Sequence, residues 1–285
     1  MANCIIAYPN RADEATLSGG AWSAGLPLDN LKTRFLGEVA RSADAALAST
    51  LFQAVFVRQR MVRIVAIIGH TMSGVAQYRL RLWSDAGKTQ LTADTGWQFV
   101  WPAIYPPTAL EWEFDEFWDG TIQEEDRIGL TWTLPIVLAQ PQLATVIQLE
   151  FNDTGNTAGY IDIGRLFVAG EWQPVMNHSY GASLGYEDET GIEKALLGVK
   201  HFDGRRPYRV AQFAVEHMSV DEGLSRPFDM QRRQGISKEV FYMYDPEDTV
   251  HLLRRAFLGR LRKLSPLEFP YFDNTRTQFE IEEIV

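Results

Sequence analysis

The sequence is short of the residues on which much metal, redox and membrane chemistry depends. Cys4 is the single cysteine among 285 residues. That excludes an internal disulfide and a thiolate metal cluster, and it fits synthesis in a reducing cytoplasm. No apolar run nears the roughly 20 residues of a spanning helix. The longest, Ile64-Val65-Ala66-Ile67-Ile68, has the length of a strand. The opening Met-Ala-Asn-Cys-Ile-Ile-Ala-Tyr-Pro-Asn has neither the basic stretch nor the long apolar stretch of a secretory signal. The five histidines, His70, His178, His201, His217 and His251, show no metal-ligand spacing. A phosphate loop, a dinucleotide fingerprint and a kinase signature are all missing. Basic residues are also scarce: 27 Lys and Arg face 37 Asp and Glu, a net charge of −10. Such a chain is a poor ligand for nucleic-acid phosphates. The expectation is therefore no cofactor, no metal, no direct nucleic-acid binding and no membrane insertion.

What is present is the balance of a globular protein, 46% apolar and 22% charged. Tryptophan divides it. All 8 lie at or before Trp172, so the last 113 residues have none. Residues 1–172 carry 12 basic and 19 acidic side chains, and residues 173–285 carry 15 and 18. Two domains are expected, 1–172 and 173–285, because each length suffices for its own core.

The first domain reads as strands and turns. Residues 61–68 are β-branched and end at Gly69. In 76–83, Tyr78, Leu80 and Leu82 alternate with Arg79 and Arg81. Further strands are expected at 127–134, 145–151 and 159–168, separated by clusters such as Asn152-Asp153-Thr154-Gly155-Asn156. Residues 43–48 have room for one or two helical turns. Many short strands with little helix indicate a β-sandwich. The second domain reads as α+β. Strands are expected at 208–218, 238–244, 260–267 and 277–285. A helix should start at Asp245-Pro246 and stop at Gly259, with Val250, Leu253 and Phe257 on one stripe.

Few motifs carry chemistry. Gly181-Ala182-Ser183-Leu184-Gly185 matches a nucleophile elbow, but 177–180 makes a poor strand and 187–191 a poor helix, so a flexible loop is expected. His70, at a strand end, is read as a hydrogen-bonded histidine. Residues 111–126 hold eight acids interleaved with Trp112, Phe114, Phe117 and Trp118. That run is expected to be a solvated edge. Carboxylates for calcium, or Trp112, Trp118 and Asp119 as a glycan-binding set, are the functional alternatives. Arg254, Arg255, Arg260, Arg262 and Lys263 form one basic cluster, an interface candidate for an acidic neighbouring copy.

Two sets of residues resemble a known family. Residues 22–31, Ile67-Ile68-Gly69-His70-Thr71-Met72-Ser73 and Tyr78-Arg79-Leu80-Arg81-Leu82 form one. Asn152 to Gly170, with its Gly159-Tyr160-Ile161-Asp162-Ile163-Gly164-Arg165-Leu166-Phe167 run, is the other. Together they resemble virion structural proteins of tailed bacteriophages whose N-terminal half is a galactose-binding-like jelly-roll sandwich. Thr71 stands where that pattern has Asn. More loosely, Phe241 to Pro246, Arg255 to Leu261 and Phe279 to Ile284 are similar to distal-tail proteins at the phage tail tip. The resemblance implies a mainly β protein, a galactose-binding-like sandwich followed by a small α+β domain. It also implies a non-enzymatic part of the tail tip or baseplate, made in the host bacterial cytoplasm and located in the virion. Its partners would be copies of itself in a ring (a hexamer) and other tail proteins. The alternatives are a carbohydrate-binding module for host-surface recognition and, behind it, a hydrolase using carboxylates of 111–126.

Overall fold

The computed structural model describes residues 2–101, 113, 120, 127–194 and 198–285. Its strands run, in chain order, β1 (Ile5–Ala7), β2 (Thr16–Ser18), β3 (Ala40–Arg41), β4 (Phe52–His70), β5 (Gln77–Trp83), β6 (Leu91–Asp94), β7 (Gln98–Phe99), β8 (Thr133–Asn152), β9 (Asp162–Ala169) and β10 (Glu171–Trp172). There follow β11 (Ser183–Glu187), β12 (Gly191–Lys194), β13 (Lys200–Asp203), β14 (Tyr208–Ser219), β15 (Glu239–Met243), β16 (Ala256–Leu261), β17 (Glu268–Tyr271) and β18 (Asn274–Glu283). All described pairings are antiparallel. The fold is mainly β, as the alternation predicts.

The sandwich is built around two very long strands. β4 and β8 pair along their length, but the register shifts between Val55 and Arg60 and again between Val62 and Ile64. At that break 57–59 and 139–141 are exposed, and the paired strands turn a corner. Before it, β4 pairs with β2 and with the end of β8, which pairs with β5. Beyond it, β4 lies between β9 and the start of β8. The two halves face one another across a core that includes Phe52, Phe56, Val65, Ile67, Leu80, Leu149, Phe151, Leu166 and Val168. The expected strands 127–134 and 145–151 are thus the neighbourhood of one strand, β8. Residues 159–168 begin their strand only at Asp162.

A second sheet stacks on the sandwich, in the order β10-β1-β15-β16-β18-β14-β11. Ile64, Ala66 and Ile68 of β4 and Phe167 and Ala169 of β9 meet Phe241 and Met243 of β15 and Ala256 and Leu258 of β16. This explains the unbroken run Ile64 to Ile68: Val65 and Ile67 enter the sandwich core, and their neighbours enter the second interface. A strand covered on both faces has no polar side to show. Each fully buried Ile, Leu or Phe contributes about 1.5–3 kcal/mol, so the two units share a substantial core. β1 belongs to this second sheet, where Ile6 pairs with Tyr242 and Trp172. Residues 5–7, expected in the sandwich, are therefore a strand of the other unit.

The expected helix from 245 to 259 is a second correction. Only Leu252–Arg255 is helical, one turn, and Ala256–Leu261 is a strand. Phe257 and Leu258 fill opposite faces of the sheet, and pairing with β15 and β18 outweighs the helical spacing of Val250, Leu253 and Phe257. The longer helical run lies instead over 220–234, opened by Ser219, whose hydroxyl accepts from the Glu222 amide. Its Met230 is fully buried in the core on the far face of the sheet. Gly223 allows the close approach, since a Cβ there would lie 2.3 Å from Thr275 Oγ1.

Candidate functional site

Three regions compete for a functional role: the loop end of the sandwich, the basic cluster, and a hairpin that projects from the second sheet.

At the loop end, the turn after β4 meets the loop 153–161. Asp153, almost fully buried, accepts from the Ser73 amide at 3.0 Å, from the Ser73 hydroxyl, and from Asn156 Nδ2 at 2.8 Å. Thr71, the departure from the family pattern, accepts at its hydroxyl from the Asp162 amide at 2.9 Å. Its carbonyl also accepts from Asn156 Nδ2 at 3.2 Å. Thr71 therefore ties the two loops together. Arg41 donates to both oxygens of Asp162 at 2.8 Å, and its guanidinium lies 4.0 Å from the centre of the partly exposed Tyr160 ring. The partly exposed Tyr160 ring and the Arg41 guanidinium are thus held in one orientation over the buried Asp162 carboxylate.

Beneath this end lies His70, buried at the end of β4 as expected. Its Nδ1 accepts from the Met72 amide at 3.4 Å, a long bond, and its Nε2 has no partner among the described residues. The ring stands edge-on to Trp101 at 5.2 Å and Trp132 at 6.2 Å. Burial, and secondarily the Arg127 charge, push its pKa down to about 3. It is a buried core group held in its neutral form. Among the described residues, no group of three His, Cys, Asp or Glu side chains could hold a metal ion. Trp112, Trp118 and Asp119, the glycan candidates, lie outside the described residues, as does nearly all of 111–126.

The basic cluster does not form one free patch. Arg255 is bound to Asp248 at 2.7 Å and lies over Tyr244. Arg260 pairs with Glu282 at 2.5 Å, Arg262 with Glu187 at 2.6 Å and Glu280 at 3.2 Å, and Lys263 with Glu280 at 2.9 Å. Arg254 alone has no ion pair among the described residues. The cause is cross-strand register, since Arg260 stands directly opposite Glu282. The acids expected on a neighbouring copy are largely supplied by this chain.

Ser183 also departs from expectation. The Gly181–Gly185 segment leads into an edge strand, β11, whose one partner is β14. It has no strand-turn-helix context for a nucleophile.

Sequence reading missed the hairpin altogether. Among the described residues β12 and β13 pair only with each other, and all eight of their residues are exposed. Ile192 and Phe202 stand directly opposite, 57% and 63% exposed, with Lys194 opposite Lys200 further along the same face. Arg206, just past the base, is tied to the Gly129 carbonyl at 2.8 Å. The signal available was the pair of short segments 191–194 and 199–203, but their apolar residues are too few for periodicity to declare a strand.

No protein-family model and no curated protein matches the chain. Solved structures do match it. One is a family 32 carbohydrate-binding module from Clostridium perfringens, in complex with galactose, at 15% identity and a TM-score of 0.38, covering 58% of this chain and 99% of that one. Another is a fucose-binding module of Streptococcus pneumoniae, at 10% identity and 0.36, covering 56% and 94%. A third is the lectin domain of lectinolysin complexed with Lewis b antigen, at 10% and 0.36, covering 56% and 95%. The sandwich of this chain is mainly β and antiparallel. The structures named are carbohydrate-binding proteins, not virion proteins.

Proposed function

We propose that the chain is a self-assembling structural protein whose second sheet joins neighbouring subunits and whose sandwich is carried outward, in the setting of a tailed-phage virion. The observation that carries self-assembly is the hairpin 191–203. A two-stranded hairpin alone is marginally stable in water. This one keeps a directly opposed Ile192–Phe202 pair exposed, and its strands pair with no other strand among the described residues. It gains its stability when another surface covers it. The placement in a phage tail rests on the sequence resemblance of 22–31, 67–82, 152–170 and the closing strands.

The test has two parts. Mass photometry of the purified chain over a concentration series should show a discrete oligomer larger than a monomer. Gold-labelled antibodies on purified virions should then mark the distal end of the tail. A chain that stays monomeric at every concentration removes the self-assembly reading. Gold on the capsid, or on no part of the particle, removes the tail placement.

A second reading, glycan recognition by the sandwich, is favoured by Arg41, Tyr160 and Asp162. An aromatic face beside a fixed guanidinium–carboxylate pair offers stacking, donors and acceptors to a sugar ring. It is compatible with assembly, because it uses the opposite unit. A glycan array should give saturable binding that Tyr160→Ala weakens at least tenfold. No saturable signal on any glycan leaves the sandwich as scaffold.

A further inference from the structure

The hairpin, a two-stranded sheet of its own attached at one end of the β14–β18 pair, has a counterpart at the other end of that pair. β14 and β18 are the longest strands of the second sheet and pair with one another. The hairpin is attached where β11 and β14 meet, at Glu187 opposite Tyr208, beside the Glu282 end of β18. At the far end, where Ser219 faces Asn274, β17 folds back on β18 through Tyr271-Phe272-Asp273-Asn274. This turn is also strongly apolar: Phe269 is 57%, Tyr271 68% and Phe272 96% exposed. The twelve residues of β14, at about 3.4 Å each, separate the two features by roughly 40 Å.

We propose that the hairpin of one copy docks on the Phe269–Asp273 turn of the next, so that subunits join head to tail. The inference rests on the self-assembly reading and specifies its interface. Two arguments identify the occupant as a second copy. The first is charge. Lys194 and Lys200 stand directly opposite one another on the face of Ile192 and Phe202, and neither has an ion pair among the described residues. Like charges so placed repel, and a carboxylate arriving between them relieves it. Asp273, exposed and likewise without an ion pair among the described residues, sits beside Phe272 at the tip of the turn. Apolar pair meets aromatic turn, and lysine pair meets aspartate. The second argument is geometry. The two surfaces are unlike and are attached at opposite ends of the β14–β18 pair, the arrangement of a heterologous contact. Such contacts close into rings when the rotation between copies allows it.

Two variants of the full chain separate the possibilities. Ile192→Glu/Phe202→Glu spoils the hairpin, and Phe269→Glu/Phe272→Glu spoils the turn; all four positions are exposed. Each variant alone should be monomeric by mass photometry. A one-to-one mixture should give a dimer and nothing larger, because a single intact hairpin–turn pair remains. Assembly of the turn variant alone, or of the hairpin variant alone, overturns the inference while leaving self-assembly standing. A mixture that stays monomeric also overturns it. A monomeric wild-type chain overturns the underlying reading instead. Should the glutamates unfold the chain, Phe202→Cys mixed with Phe272→Cys answers the question, since Cys4 is buried and does not compete. A covalent heterodimer under mild oxidation is expected, and its absence in an assembling mixture refutes the contact.

Discussion

Arg165 and Glu239 join the two units through a bidentate, fully enclosed ion pair. Arg165 projects from β9 of the sandwich and Glu239 from the start of β15 in the second sheet, 0% and 4% exposed. Nε donates to one carboxylate oxygen at 3.1 Å and a terminal nitrogen to the other at 2.5 Å. Asn10 donates to the same carboxylate, Asp13 lies 2.7 Å from the guanidinium, and the Leu31 carbonyl accepts from it. With both carboxylate oxygens and three guanidinium nitrogens engaged, the pair ties the sandwich to the sheet. In the proposed assembly, a module carried outward on a joined base would need that connection. A similar pair, Arg209 with Glu283, locks β14 to β18 and to the Leu253 carbonyl.

Removing one partner should be costly. Arg165→Ala leaves the buried Glu239 carboxylate without its counter-charge, and about 3–5 kcal/mol of stability should be lost. Replacing both, Arg165→Met with Glu239→Leu, should recover most of it. Urea midpoints of the two variants check this, and equal losses would show that the pair is not coupled.

Acid should destabilise the chain partly through His70. Its folded pKa lies below the unfolded value, so the neutral form is the native one. The unfolded chain takes up the proton as pH falls below about 6.5, and the folded chain resists until about 3. Stability is therefore complete above the upper value and declines through that window, by at most about 1.4 kcal/mol per pH unit. His70→Gln should flatten the decline between pH 6.5 and 5 in urea midpoints measured against pH. An unchanged slope would mean that the ring is not held neutral.

Charge reversal in the basic cluster should act first on the monomer. Arg262→Glu sets three carboxylates near a fourth and should lower the melting temperature slightly, as loss of a surface pair does. Exchanging the partners in Arg260→Glu/Glu282→Arg should restore the Arg260 pair. Thermal melting decides between this and the reading drawn from sequence, in which assembly weakens and the monomer is unaffected.

Gly259 should not tolerate a side chain. A Cβ there would lie 2.5 Å from the Glu282 carbonyl and 2.7 Å from Ile281 Cγ2, against backbone and a packed core group. Gly259→Ala should cost about 1–3 kcal/mol and lower the urea midpoint, whereas Gly185→Ala, with open space around its Cβ, serves as the control.

How much of this was written in the chain depends on the range of the interaction. Alternation in 77–83 and 208–218, the double-sided run Ile64 to Ile68 and the turn cluster 152–156 are local properties, and they determined that the protein is mainly β and that its first unit is a sandwich. The charge of −10, the lone Cys4 and the missing motifs narrowed the chemistry in the same local way. Only the tertiary structure decided that Ile5–Ala7 crosses to the second sheet, that Phe257 and Leu258 belong to a strand, that Arg260 and Arg262 are answered by Glu282 and Glu280, and that the hairpin and the aromatic turn are attached at opposite ends of the β14–β18 pair. Those outcomes depend on which strands become neighbours, and strand pairing joins residues such as Ile5 and Met243 that no local pattern relates. Periodicity states which face of a segment is buried; the partner that buries it is a choice made by the whole chain.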